Sequence, residues 1–176
     1  MWDRLQIRPG FQSDSLLPRA AVLVPLYEDE SGDVRVILTK RPDTMPTHAG
    51  HISFPGGRPD PEDDGVVATA LREAEEEVGI DPSTVEILGF LPEIHTFEYQ
   101  LLVVPVVGRL AGVPRLRPSE REVARVLVPR LADLAEDESW RSEIWGERLI
   151  WFYELEGEIL WGATAHMMRN LLGMAP

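Results

Sequence analysis

Three glutamates carry the clearest chemical signal in the chain. In the stretch LREAEEEVGI, Glu73, Glu76 and Glu77 are spaced i, i+3 and i+4, which on an α-helix places their carboxylates on one face. Like charges at that spacing cost about 0.2–0.5 kcal/mol per pair, and acids in a last helical turn face the negative end of the helix dipole. Arg72, four residues before Glu76, relieves part of this repulsion. A divalent cation relieves more of it, and carboxylate oxygens are hard ligands suited to Mg²⁺ or Mn²⁺. Shortly upstream, Gly56 and Gly57 permit close backbone approach. Their carbonyls could complete a coordination sphere, or their amides could face phosphate oxygens. The plainer alternatives are a solvated acidic face for the glutamates and an ordinary tight turn for the Pro-Gly-Gly.

The spacing predicts a helix from about Asp64 to Val78, with Asp63 or Asp64 as N-cap and Gly79 as the glycine that ends it. Val67, Ala70, Leu71, Ala74 and Val78 form its core stripe, the three acids lie beside that stripe, and Glu75 points to solvent. Around this helix the pattern predicts a strand over Ala20–Tyr27 and a hairpin partner over Val34–Thr39. A loop at Arg41–Gly50 and a short strand at His51–Phe54 come next, and strands follow at Val85–Phe90, Leu101–Val107 and Val123–Val128. A short helix after Pro129, a hairpin of Leu149–Tyr153 with Glu158–Trp161, and a helix at Ala163–Leu172 complete the chain. Strands interleaved with two good helices indicate a mixed α/β layered domain.

The segment from Gly57 to Ile80, GRPDPEDDGVVATALREAEEEVGI, resembles the Nudix box, G-x5-E-x7-R-E-U-x-E-E-x-G-U with U bulky and aliphatic. Arg72, Glu73, Glu76, Glu77, Gly79 and Ile80 match the fixed half. Asp63 stands where the pattern has its first Glu, the gap from there to Arg72 is one residue longer, and Ala74 is small for its position. Upstream, LTKRPDTMPTHAGHISFPGG (Leu38 to Gly57) resembles the signature of coenzyme A pyrophosphatases. Leu38, Thr39, Arg41, Gly50, Phe54, Pro55, Gly56 and Gly57 fit, whereas Pro42 replaces a small residue and Pro46 replaces a second Arg, for which His48 is a substitute. VVPVVG (Val103 to Gly108), Glu122-Val123 and LWGATA (Leu160 to Ala165) extend the likeness over nearly the whole chain.

The resemblance implies a single Nudix domain over residues 1–176, a mixed β-sheet sandwiched between helices (α/β/α). It implies hydrolysis of a pyrophosphate bond in a nucleotide derivative, with coenzyme A or an acyl-CoA giving 3′,5′-ADP and 4′-phosphopantetheine. Glu76 and Glu77 are implied as primary metal ligands, Glu73 as a further ligand or the base, and Arg72 as the residue that orients the carboxylates. The Gly57 carbonyl would join the metal and Gly56 the substrate. Glu122 is a candidate extra ligand or base, and Arg41 and His48 are candidate substrate contacts. ADP-ribose, a dinucleoside polyphosphate or a sugar nucleotide are alternative substrates, and a nucleotide-sensing module without turnover is an alternative of another class. A homodimer is a family expectation.

Composition supports this reading. Hydrophobic residues make up 44% and the formal net charge is −13, so a broad nucleic-acid-binding face is not expected. A phosphate-bearing substrate then needs a cation, metal or Arg, to meet it. There is no Cys, hence no thiol nucleophile or thiolate metal site, and a cytoplasmic location is expected. No apolar stretch suggests a signal peptide or membrane span. His48, His51, His95 and His166 show no zinc spacing, Ser53 lies in no G-x-S-x-G context, and there is no P-loop. Trp140, Trp145, Trp151 and Trp161 cluster late and suggest core packing or a dimer contact, with base stacking as a minor alternative.

Overall fold

The two longest apolar runs become the central strands, and the remaining elements pack around that pair. The computed structural model describes residues 1–10, 19–44, 48–96 and 101–174. In chain order the elements are β1 (Arg19–Glu28), β2 (Val34–Val36), β3 (Leu38–Lys40), β4 (Ile52–Ser53), β5 (Gly56–Gly57), α1 (Gly65–Val78), β6 (Val85–Phe90), β7 (Ile94–Thr96) and β8 (Leu101–Leu110). They continue as β9 (Arg125–Leu127), α2 (Leu131–Leu134), β10 (Trp140–Trp145), β11 (Arg148–Leu155), β12 (Glu158–Trp161) and α3 (Gly162–Leu171).

β1 and β8 run parallel, in register from Arg19↔Leu102 to Leu26↔Arg109. Such strands are covered on both faces and so read as near-continuous apolar runs. On one side, Ala21 and Leu23 pack with Ala70, Ala74 and Val78 of α1. On the other, Val24 and Leu26 join the cluster that holds Met167, Met168 and Leu171 of α3. The main sheet, ordered β2-β1-β8-β6 with β5 on β1 and β7 on β8, therefore lies between helices, as the sequence leads one to expect.

The structure differs from the sequence reading at several places. The strand expected over Val34–Thr39 breaks at Ile37. β2 pairs with β1, whereas β3 joins a second sheet ordered β4-β3-β9. Ile37 is fully buried and its amide donates to the Pro25 carbonyl at 3.0 Å, so one residue turns the chain from one sheet into the other. β10 and β7 were not anticipated. WRSEIW has no clean period-two pattern, and β10 is held by its antiparallel ladder to β11. At the start of α1, Asp64 occupies the N-cap position without a side-chain hydrogen bond, and Asp63 is turned elsewhere. The core stripe of α1 is also shifted: Thr69, Ala70, Ala74, Glu77 and Val78 are buried, while Val67 and Leu71 are half-buried. No described helix is long and apolar enough to cross a membrane.

Candidate active site

The C-terminal half of α1 carries the acids past the Gly56-Gly57 strand. β5 pairs with β1 through Ala21↔Gly57 and Val22↔Gly56, which pins the glycines against the sheet edge under the helix. A Cβ added at Gly57 would meet a Glu73 carboxylate oxygen at 2.5 Å, and one at Gly56 would meet the Ala21 carbonyl oxygen. Only glycine leaves room for this approach. Glu77 is 7% exposed, and its Oε1 accepts from the Gly56 amide at 3.4 Å. That amide is thus engaged with Glu77, and what Gly57 provides is space for Glu73.

Burial is the main cause that pushes the Glu77 carboxyl up to about 8. Charges on Glu73 and Glu122 add to it, while the Gly56 amide and Arg41 oppose it. The Glu73 carboxyl is also raised, first by burial and further by Glu76 and Glu122, against the pull of Arg72. Glu73, Glu77 and Glu122 thus act on one another electrostatically, and the Arg41 charge reaches Glu77. Glu75 is exposed, as expected. Glu76 is exposed too, and its carboxylate lies 3.3 Å from the same Arg72 nitrogen that Glu73 reaches at 3.0 Å. Among the described residues, no three carboxylates or imidazoles form a finished cation cage.

Arg72 is the hub of the outward side. It reaches Glu73 at 3.0 Å and Glu76 at 3.3 Å, donates to the Arg58 carbonyl, and meets both oxygens of Asp63 at 3.0 Å. Such two-point guanidinium–carboxylate contacts fix orientation as well as charge. Asp63 also accepts from the Asp60 amide at 2.8 Å and the Thr69 hydroxyl at 2.9 Å. Arg72, first, together with these donors holds its carboxyl well below the usual carboxylate range. The residue that lengthens the gap to Arg72 is absorbed at the helix start, where Gly65 has φ +83°. Asp63 therefore anchors Arg72, a role that the N-cap reading missed.

Glu122 arrives from the segment between β8 and β9 through backbone bonds that spacing alone does not reveal. The Arg117 amide donates to the Val78 carbonyl and the Ser119 amide to the Glu77 carbonyl, both at 2.8 Å. These bonds satisfy carbonyls that the end of α1 would otherwise leave without partners. Ser119 in turn accepts from the amides of Glu122 at 3.1 Å and Val123 at 2.8 Å, and the Ala124 amide donates to the Lys40 carbonyl at 2.8 Å. The same segment thus ties the helix end to β3, whose next residue is Arg41. Arg41 is half-buried, and its Nε has no hydrogen-bond partner among the described residues. His48 stands at a turn with φ +53°, with its ring 5.3 Å from that of His51. Pro46 lies outside the described residues.

Carboxyls of raised pKa, a glycine corner and a guanidinium whose Nε has no hydrogen-bond partner among the described residues suit a divalent cation and an anionic ligand. A sequence model of the NUDIX domain matches residues 17–145. The chain is 41% identical over 175 residues to Nudix hydrolase 22, chloroplastic, of Arabidopsis thaliana, covering 90% of this chain and 57% of that protein. It thus spans little more than half the length of that relative. It is 37% identical over 179 residues to the Nudix hydrolase NudL of Escherichia coli, covering 97% of this chain and 91% of that one. Among solved structures, the Nudix hydrolase RenU of M. smegmatis superposes with a TM-score of 0.57 at 20% identity, over 68% of this chain and 74% of that one. This last likeness concerns the fold.

Proposed function

Because the chain belongs to the Nudix family, we propose that it is a hydrolase that cuts the pyrophosphate bond of a nucleoside diphosphate derivative, with coenzyme A or an acyl-CoA as substrate. The observation that carries the reading is the approach of Glu73 and the buried Glu77 to the Gly56-Gly57 corner, within electrostatic reach of Glu122 and of Arg41, whose Nε has no hydrogen-bond partner among the described residues. Nudix hydrolases generally use divalent metal ions. The donor set here, all carboxylate with the Gly57 carbonyl at hand, fits Mg²⁺ or Mn²⁺. Such an ion supplies charge neutralisation at the phosphoryl oxygens and a lowered pKa for bound water.

The residues divide the remaining work. Glu73, Glu76 and Glu77 would hold the cation. Glu122 takes the proton from the attacking water, at a position set by the Ser119 backbone. Arg72, held by Asp63, fixes the direction of Glu73. Arg41 binds a phosphoryl oxygen of the diphosphate through its open Nε, and His48 is a further candidate substrate contact.

The test is a substrate panel of coenzyme A, ADP-ribose, a dinucleoside polyphosphate and a sugar nucleotide with Mg²⁺ or Mn²⁺, followed by product analysis in ¹⁸O-water. Coenzyme A is expected to give 3′,5′-ADP and 4′-phosphopantetheine with the highest kcat/KM. A higher value for ADP-ribose would overturn the substrate, and no turnover of any member would overturn the reaction.

A further inference from the structure

An aromatic row begins beside Arg41 and crosses the outer face of the β10-β11-β12 sheet. The β3–β4 register, Thr39↔Ser53 and Lys40↔Ile52, continues to Arg41 opposite His51, joined by an amide-to-carbonyl bond of 3.0 Å. Directly opposed residues project to the same side, with Cβ atoms about 4.5–5.5 Å apart. The His51 ring meets Trp161 edge-on at 4.9 Å. Trp161 lies opposite Phe152, and Phe152 opposite Arg141. The Trp161 and Phe152 rings are 14° from parallel at 6.3 Å, and Trp145 sits 5.8 Å from the first and 5.7 Å from the second. The Arg141 guanidinium lies 5.6 Å from the Phe152 ring. The row thus runs from one guanidinium to another over π-faces, in a protein of net charge −13. An aromatic ligand that carries negative charge fits this row, and the row is continuous with the phosphate-binding side of Arg41.

We propose that this row, entered at His51 and Trp161, is the subsite for the nucleobase of the substrate. The proposal rests on the diphosphate being held at Arg41. With the phosphates there, the next rigid group of a nucleotide comes to lie over His51 and Trp161, where a base stacks irrespective of its hydrogen-bonding edge. Specificity for the base would then be loose, and affinity would come from ring area. Trp145 and Ile159 on this same face are exposed, so the competing occupant of this face is a second copy of the chain.

The test compares AMP with ribose 5-phosphate, which has the phosphate but no base, by isothermal titration calorimetry of the full chain in Mg²⁺. Wild-type protein is expected to prefer AMP. Trp161→Ala should weaken AMP about 5- to 100-fold, to the level of ribose 5-phosphate, whose own affinity stays unchanged. Trp161→Phe, which keeps a ring, should retain most of the preference. If Trp161→Ala does not fold, His51→Ala and Trp145→Ala decide, each losing AMP affinity selectively. No AMP preference in the wild type, or an undiminished preference in these variants, overturns the proposal. So does a Trp161→Ala protein that changes its sedimentation coefficient but keeps the preference, because the face is then a subunit contact. A wild type that prefers AMP but turns over no diphosphate substrate would sink the hydrolase reading and leave the base subsite standing.

Discussion

Burial, reinforced by the charges on Glu73 and Glu122 and only partly opposed by the Gly56 amide and Arg41, makes an ionised Glu77 costly to the fold. Its carboxyl is ordinarily half-protonated at 4.5 and is pushed up to about 8 in the fold. Between those values the unfolded chain has released the proton and the folded chain keeps it. Unfolding therefore releases a proton, and stability falls as pH rises through this window. Below 4.5 both states are protonated and above about 8 both are ionised, so the contribution is fully present at the acid end and lost at the alkaline end. The displacement bounds the loss at about 5 kcal/mol, with Glu73 adding in the same sense. The metal-free protein is expected to melt at a lower temperature at pH 8 than at pH 5, and Glu77→Gln to remove most of that slope while lowering kcat at least ~100-fold. Mg²⁺ should oppose the slope, since binding needs the ionised form and releases the proton. Identical melting profiles for wild type and Glu77→Gln would refute the assignment. Asp63 acts through Arg72 instead. Asp63→Asn frees the guanidinium that aims Glu73, so kcat should fall about 10- to 100-fold with KM nearly unchanged in steady-state assays. An equal rise in KM would place Asp63 in substrate binding.

At the scale of elements, the end of α1 is where conformation and chemistry meet. Gly79 holds φ +72°, and a Cβ there would meet Arg117 Cβ at 3.0 Å and its amide nitrogen at 3.2 Å. Gly79→Ala thus pays a backbone cost of about 1–2 kcal/mol and also displaces the segment that delivers Glu122. Gly157, with φ +82° and nothing within 4 Å of an added Cβ, is the control. Both substitutions are expected to lower stability in urea unfolding, and only Gly79→Ala to lower kcat. Equal activity in the two would show that the Arg117–Ser119 backbone does not position Glu122. What the sequence revealed follows the same division. The extent of α1 and the inward direction of Glu73 and Glu77 were legible, because the helical period and the glycine that ends the helix are local. The sharing of one Arg72 nitrogen by Glu73 and Glu76 was not, since Arg72 is itself set by Asp63 from before the helix. The attachment of Ser119 to Glu77 runs through backbone atoms and leaves no mark on residue type. The break at Ile37 was hidden for a related reason, as buried strands in two sheets read as one apolar run.

For the whole molecule, charge sets how a substrate arrives. A chain of net charge −13 repels a diphosphate at long range, and the cations proposed to receive it, Arg41 and a divalent metal, act only at short range. Salt separates the two. The Debye length shrinks from about 30 Å at 0.01 M to about 8 Å at 0.15 M, which hides the distributed negative surface but leaves half-buried contacts such as Arg41 largely intact. At saturating Mg²⁺, kcat/KM for an anionic nucleotide is therefore expected to rise with added KCl over this range, roughly two- to tenfold. kcat should stay flat, because the bound complex no longer feels the approach. The opposite slope would mean that Arg41 and Arg141, at the two ends of the aromatic row, outweigh the global charge and draw the substrate in. Neutral-ligand controls would show no slope in either case, so a salt effect common to all ligands would point to the metal site rather than to steering.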